Sequence, residues 1–213
     1  MGERTQNMRR AQQRRDEDPP RVVVDACVWH AAFLRDLIVH AAVTGAVFPV
    51  WTPTIEAEWT RSVIRRRPEI TMTRIQLVAD RMRAAMPGGC IAPPSVPPIP
   101  LQLRARFPDP CDLHVVGAAI AGAAPFICTF DRRGFPAGAL RTLGIEAITP
   151  DRLLQKLLAR DRPQLIEALH RHRASLRSPP ADARTYGEML QRNALAETAR
   201  AVENELEKRA REG

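Results

Sequence analysis

The chain has 213 residues, 45% hydrophobic and 26% charged, with a formal net charge of +8 and an isoelectric point near 10.5. That length suits one core of ordinary size with an appendage, and no uninterrupted apolar stretch approaches the roughly 18 residues of a membrane span. A charged N-terminus without an apolar signal core, and cysteines (Cys27, Cys90, Cys111, Cys128) without C-x-x-C spacing, exclude a secreted disulfide scaffold and make a cytoplasmic location with reduced thiols the expectation. The basic balance favours a polyanionic partner, most simply nucleic acid.

Residues 1–20 are polar, end in Pro19-Pro20, and are expected to form a disordered arm. Val22-Val23-Val24 begins a strand, and a helical pattern through Trp29, Phe33, Leu37 and Val43 follows it as far as Gly45. A second strand is expected over 48–51. Thr52 and Pro53 then supply the N-cap and first position of a helix that Pro68 ends near Arg67. A further helix is expected over 71–86, then a proline-rich extended stretch over 90–100. Asp109-Pro110 turns into a helix capped by Asp112, whose Ala-rich face permits close approach to a sheet. Phe126–Phe130 reads as a buried strand, 140–144 as the end of a short helix and 145–148 as a last strand. This alternation predicts an α/β fold with a parallel sheet between helical layers. Thr149-Pro150 restarts helix, and the segment from about 181 to 213 reads as one docking or dimerising helix, which leaves a second copy of the chain as a candidate partner.

Four acids carry the chemical signal. Asp25 closes RVVVDACVW and Asp131 follows the PFICTF strand, and the carboxyl ends of parallel strands line the crevice where open α/β sheets bind ligands. Asp112 precedes a helical run and Glu58 lies inside the helix opened by Thr52-Pro53. Such a carboxylate set suits hard divalent cations, with Mg²⁺ or Mn²⁺ the expected ions. Glu56 is expected to be solvated. Thr129 either orients Asp131 or a water, or simply packs in the strand. Cys27-x-x-His30 and Cys111-x-x-His114 invite a zinc reading, which requires all four to converge; His114 is otherwise a packed helical histidine. Arg61, Arg65, Arg66, Arg67, Arg74, Arg81 and Arg83 face only Glu69 and Asp80 along the same stretch, and Arg132, Arg133 and Arg141 form a second basic group after Asp131. Both groups are candidates for RNA phosphate contacts.

The segments RVVVDACVW, TPTIEAEW, FPDPCDLHVVGAAIAGA and TFDRRGFP, in this order, resemble the PIN domain family, metal-dependent ribonucleases common as the toxins of type II toxin–antitoxin systems. The resemblance covers about residues 21–155 and leaves 156–213 as a C-terminal helical extension. It implies a three-layer α/β/α fold, an RNA substrate, a small antitoxin partner, and Asp25, Glu58, Asp112 and Asp131 as catalytic acids around Mg²⁺ or Mn²⁺. Glu58 rather than Glu56 fits the family's phase after Ile55, and Thr129-Phe130-Asp131 fits its Thr-x-Asn/Asp pattern. Cys27, Cys111 and Gly134 depart from it at positions where the family usually has polar or acidic residues. Those departures keep two alternatives open: a PIN-like RNA-binding or assembly module without cleavage, and a DNA-directed nuclease.

Overall fold

The run Val22-Val23-Val24 is fully buried in strand β1 (Arg21–Val24), as a β-branched run without alternation should be when both faces of a sheet are covered. A computed structural model describes residues 18–92, 99–177 and 181–211 of the protein. In it β1 pairs in parallel with β2 (Phe48–Val50) on one side and β3 (Phe126–Cys128) on the other, and β3 pairs with β4 (Glu146–Ile148), giving the order β2-β1-β3-β4. The chain therefore leaves β1 to one side and returns to its other side, so a topological switch point lies between β1 and β3. Val24 stands opposite Cys128, and the Asp25 amide donates to the Cys128 carbonyl at 3.0 Å. Asp25 and Thr129 consequently leave the sheet side by side at that switch point.

The helix expected from Ala26 to Val43 is two helices, α1 (Ala26–His30) and α2 (Ala32–Val43), because Ala31 is extended, with φ −74° and ψ 109°. The buried Arg35 guanidinium stabilises the break: its Nη1 donates to the Trp29 carbonyl at 2.8 Å while its carbon lies 5.0 Å from the centre of the Trp59 ring. α3 (Pro53–Arg66) opens as expected, with the Thr52 hydroxyl accepting from the Ile55 amide, and α4 (Met72–Ala85) opens the same way on Thr71. Trp29, Trp51 and Trp59 are all core residues.

A short helix outside the expected elements, α5 (Leu101–Arg104), follows directly on the proline-rich stretch, anchored by buried Ile99 and Leu103. Residues 93–98 of that stretch lie outside the described residues, as do residues 1–17 of the expected disordered arm. Asp18 and Pro20 at the end of that arm are bonded, the Pro20 carbonyl accepting from the Phe48 amide at 2.9 Å and the Asp18 carbonyl from Arg160. α6 (Leu113–Ala121) lays its small face against the sheet: Val115, Val116, Ala118 and Ala119 are buried, and a Cβ on Gly122 would stand 2.9 Å from the Val50 side chain. α7 (Ala137–Arg141) leads to edge strand β4.

Beyond the sheet come α8 (Pro150–Arg160), α9 (Arg162–Ser175), α10 (Ala183–Arg192) and α11 (Ala196–Arg211). The expected division after residue 155 falls within α8. The single terminal helix expected from 181 onwards is a helical hairpin instead. Ala194 takes a positive φ of 61°, and the Leu195 amide returns to the Leu190 carbonyl at 3.0 Å, closing α10 and reversing the chain. Asp151 on α8 then caps α11, accepting from the Thr198 amide at 2.9 Å and its hydroxyl at 2.6 Å. The periodicity is continuous enough to suggest one helix because both arms of the hairpin bury the same kind of apolar stripe, Tyr186 and Leu190 on one arm, Val202 and Leu206 on the other.

α9 and α10 pack this unit against α2 through a buried ring cluster. His172 is fully buried, its Nδ1 lies 2.8 Å from the Tyr186 hydroxyl, and Phe33 meets it edge-on with ring centres 4.7 Å apart. Burial, reinforced by neighbouring His40, pushes His172 down to about 4. A histidine held neutral in the fold but protonated near 6.5 when unfolded binds fewer protons folded than unfolded, so its contribution is complete above about pH 6.5 and is lost as pH falls toward 4. Over that window the loss amounts to about 3 kcal/mol. The expected outcome is a melting temperature that falls between pH 6.5 and 4, with a shallower fall in His172→Gln, read by thermal unfolding of both proteins across that range.

Candidate active site

The register that sends Asp25 and Thr129 out of the sheet together also joins them chemically. The buried Thr129 hydroxyl donates to Asp25 Oδ2 at 2.7 Å and accepts from the Asp131 amide at 3.0 Å. Asp25 Oδ1 accepts from the Ala26 amide at 2.7 Å, which opens α1. Thr129 therefore orients both strand-end acids, a positioning role that a β-branched strand residue need not have. The Cys27 thiol completes the surroundings of Asp25, donating to Oδ2 at 3.1 Å and accepting from the Phe130 amide at 3.4 Å. Burial first and the Asp25 charge second push this thiol up to about 11, so it stays protonated and serves as a donor.

Asp112 enters from the start of α6. Capping at this turn belongs to Asp109, whose carboxylate accepts from the Cys111 amide at 2.7 Å, whereas Asp112 makes no capping bond. Its carboxylate points to Asp131 across Gly134: a Cβ built on Gly134 would lie 2.4 Å from Asp112 Oδ2 and 3.1 Å from Asp131 Oδ2. A side chain at this position would have to displace the Asp112 carboxylate, and the two carboxylates share the gap the glycine leaves. Desolvation, followed by the charges of Asp109, Asp25 and Asp131, raises the Asp112 carboxyl above its ordinary value, with His114 opposing. Asp131 Oδ1 is held by the amides of Arg133 and Gly134, both at 3.1 Å.

The two glutamates of α3 part ways. Glu58 turns to α6, its Oε2 3.3 Å from His114 Nε2, an ion-pair separation without the alignment of a good hydrogen bond. His114 Nδ1 lies 2.6 Å from the Cys111 carbonyl. Burial alone would lower His114, but Glu58 and the Cys111 carbonyl outweigh it and raise the imidazole toward the charged form. Glu56, expected to be solvated, is buried: it accepts from Trp51 Nε1 at 3.0 Å and pairs with Arg83. The sequence does not reveal this because Trp51 and Arg83 lie on separate elements, one before and one after α3, and nothing local marks their convergence.

Asp25, Asp112 and Asp131 thus face one crevice, with Glu58 at its edge beside His114. Among the described residues no three His, Cys, Asp or Glu side chains are drawn together closely enough to hold a metal ion. Asp131 is retained by backbone amides and Glu58 lies against His114, so each acid is placed by a partner of its own. The oxygen-only donor set nevertheless fits a hard divalent ion. The zinc reading is not supported, since Cys27 is committed to Asp25 and His114 faces Glu58.

The flanks of the crevice are basic. His30, at the far end of α1, is lowered by burial first and then by the charges of Arg66, Arg35 and Arg65, which places the last turn of α3 beside α1. Arg65 and Arg66 are exposed, whereas Arg67 is engaged by Glu69 and Arg83 by Glu56 and Asp80. Phe130, 44% exposed directly before Asp131, is an aromatic surface that the sequence pattern does not single out.

The sequence profile described as PIN domain matches residues 21–133, and that described as VapC50 C-terminal domain matches residues 150–204. The first spans β1 to the turn after Asp131, and the second begins at the first residue of α8. No curated protein and no solved structure matches the chain. With more than half of its length matched, over the stretch that carries the acidic crevice, the chain belongs to the PIN domain family and carries a C-terminal unit similar to the VapC50 C-terminal domain.

Proposed function

We propose that the protein is a metal-dependent endoribonuclease, the toxin of a toxin–antitoxin pair, in which Asp25, Glu58, Asp112 and Asp131 hold Mg²⁺ or Mn²⁺ against an RNA phosphodiester. The observation that carries this reading is that three aspartates face one crevice at the switch point, Asp112 and Asp131 across the space that Gly134 leaves, where desolvation first and then the charges of Asp109, Asp25 and Asp131 raise the Asp112 carboxyl. Repulsion of that kind is a cost in the free protein that a divalent cation offsets on binding. Held by these four acids, a divalent ion would supply Lewis-acid polarisation of the phosphodiester and a lowered pKa for an attacking water. The chain's own contribution is placement. Thr129 fixes the rotamer of Asp25 and the approach of Asp131, and Gly134 leaves the gap between Asp112 and Asp131 open. Arg61, Arg65 and Arg66 on α3, with Arg132 and Arg133 after Asp131, are the residues assigned in this reading to the phosphates of the RNA strand. Hydrolysis by water leaves a 5′-phosphate and a 3′-hydroxyl, and a small antitoxin protein is the proposed restraint.

Asp25→Asn or Asp112→Asn is expected to lower cleavage of total RNA in Mg²⁺ or Mn²⁺ by more than about 100-fold, beyond the 10–100-fold typical of outer-shell partners. The melting temperature in EDTA should hold or rise, because one like charge has been removed. A large drop in that melting temperature would show that the carboxylate holds the fold instead. Parallel assays on single-stranded DNA of matched sequence separate a ribonuclease from a DNA-directed enzyme, and absence of cleavage on both substrates would favour a binding module.

Gly134→Ala tests the shared gap. The added methyl must displace the Asp112 carboxylate, so activity should fall with little change in RNA affinity measured in EDTA. Arg65→Gln with Arg66→Gln tests the basic flank: the slope of log affinity against log salt for single-stranded RNA should flatten by roughly 1.4, about 0.7 for each phosphate that is no longer neutralised. An unchanged slope would assign both residues to a merely solvated face.

A further inference from the structure

Alongside edge strand β4, an open cavity of about 500 Å³ is lined by Arg132, Arg133 and Arg141 together with Ala137, Ile145 and Ala147. None of the three arginine side chains has an ion-pair or hydrogen-bond partner among the described residues. The one acid on the rim, Glu146, is already neutralised by Lys156 at 3.2 Å. Uncompensated guanidiniums around a concavity repel one another, and they lose that repulsion only against an anion. Between them the wall is aliphatic, formed by the Ala137, Ile145 and Ala147 side chains, which suits the face of a base or a ribose rather than a second charge. Arg132 and Arg133 directly follow Asp131, and the Gly134 that comes next donates its amide to the Asp131 carboxylate and leaves free the space into which the Asp112 carboxylate extends. The cavity is therefore tied to the acidic crevice by a single tight turn. A second cavity, about 400 Å³ between α10 and α11, offers no such preference, since Arg184 and Arg200 there face Glu188 and Glu197 within ion-pair distance.

We infer that the β4 cavity is a nucleotide subsite, resting on the ribonuclease reading: it holds one nucleotide of a single-stranded RNA whose strand runs on over the Asp131 turn to the acidic crevice, its phosphate on Arg133 and Arg141 and its base against Ile145 and Ala147. A planar guanidinium binds two phosphate oxygens at once and also stacks on a base, so the same three arginines serve both halves of the ligand. The subsite makes cleavage position depend on the nucleotide it accepts. It also restricts the substrate to strands whose bases are free to turn out, since a paired base cannot enter a cavity beside an edge strand.

The test uses the full chain in EDTA, where no cleavage occurs, with 5′-AMP as the probe and calorimetric or NMR titration as the readout. Wild type should bind 5′-AMP with an affinity that weakens as salt rises. Arg133→Gln with Arg141→Gln should bind at least about tenfold more weakly, and Ala137→Trp, which fills the mouth of the cavity from an exposed position, should do the same without removing charge. Arg184→Gln with Arg200→Gln, an equal loss of charge at the other cavity, should leave binding unchanged. Inorganic phosphate competing as well as 5′-AMP, or full binding by Ala137→Trp, would overturn the nucleotide subsite. In Mn²⁺ the two cavity variants should shift the cleavage pattern on a defined RNA and raise KM more than they lower kcat. RNA cleavage by wild type without 5′-AMP binding sinks the subsite alone, whereas 5′-AMP binding without cleavage sinks the nuclease reading and leaves an RNA-binding cavity.

Discussion

The Thr129 hydroxyl is the joint on which the crevice depends. It gives its proton to Asp25 and receives the amide of Asp131, and it is buried at the point where β1 and β3 end side by side. The hydroxyl thereby ties the carboxylate at one strand end to the backbone at the next, and the parallel register fixes its position through Val24 and Cys128. The strand order follows from the same constraint, because only a sheet that departs from both sides of β1 opens a crevice at that edge. The fold and the candidate chemistry are therefore set by one ladder of backbone bonds.

Around this joint every acid is restrained by a different kind of partner. Asp25 is held by a hydroxyl, a thiol and an amide. Asp131 is held by two amides of the following turn, Glu58 by an imidazole, and Asp112 by no capping bond at all. The Asp112 carboxyl is also raised above its ordinary value, by desolvation first and then by the charges of Asp109, Asp25 and Asp131. The placement of Asp109 matters here as well. By taking the Cys111 amide it relieves Asp112 of the capping duty its position at the helix start would otherwise impose.

Much of this is legible in the sequence, and the reasons are local ones. Strand-end aspartates follow apolar runs, Thr52-Pro53 writes a helix start, and the spacing after Ile55 in the family pattern picks out Glu58 rather than Glu56 as the candidate acid. What stays hidden depends on contacts between distant segments. Glu56 reads as a surface acid until Trp51 and Arg83 are brought to it. The break at Ala31 has no glycine or proline to announce it, because a side chain four residues later, Arg35, takes up the Trp29 carbonyl. The hairpin between α10 and α11 turns on an alanine at positive φ, a residue that carries no turn signal of its own. Gly134 stands out in the sequence only as a departure from the family pattern; its reason, two carboxylates occupying the space of its missing side chain, exists only in three dimensions.

The C-terminal helices matter for what they cover. α9 and α10 close over α2 through His172, Tyr186 and Phe33, and α8 reaches β4 through Lys156, which meets Glu146 and lies 5.0 Å from the centre of the Phe126 ring. Phe126 and Glu146 are the first residues of their strands, so this contact sits at the edge of the sheet opposite the one where Asp25 and Thr129 emerge. The extension thus packs along β4 and buries apolar surface on the α2 face. The capping bond that Thr198 donates to Asp151 ties α11 to the first turn of α8, so the helical unit is braced where it joins the sheet. A unit docked in this way engages the fold through rings and ion pairs on α2, β3 and β4 rather than through the four acids of the crevice.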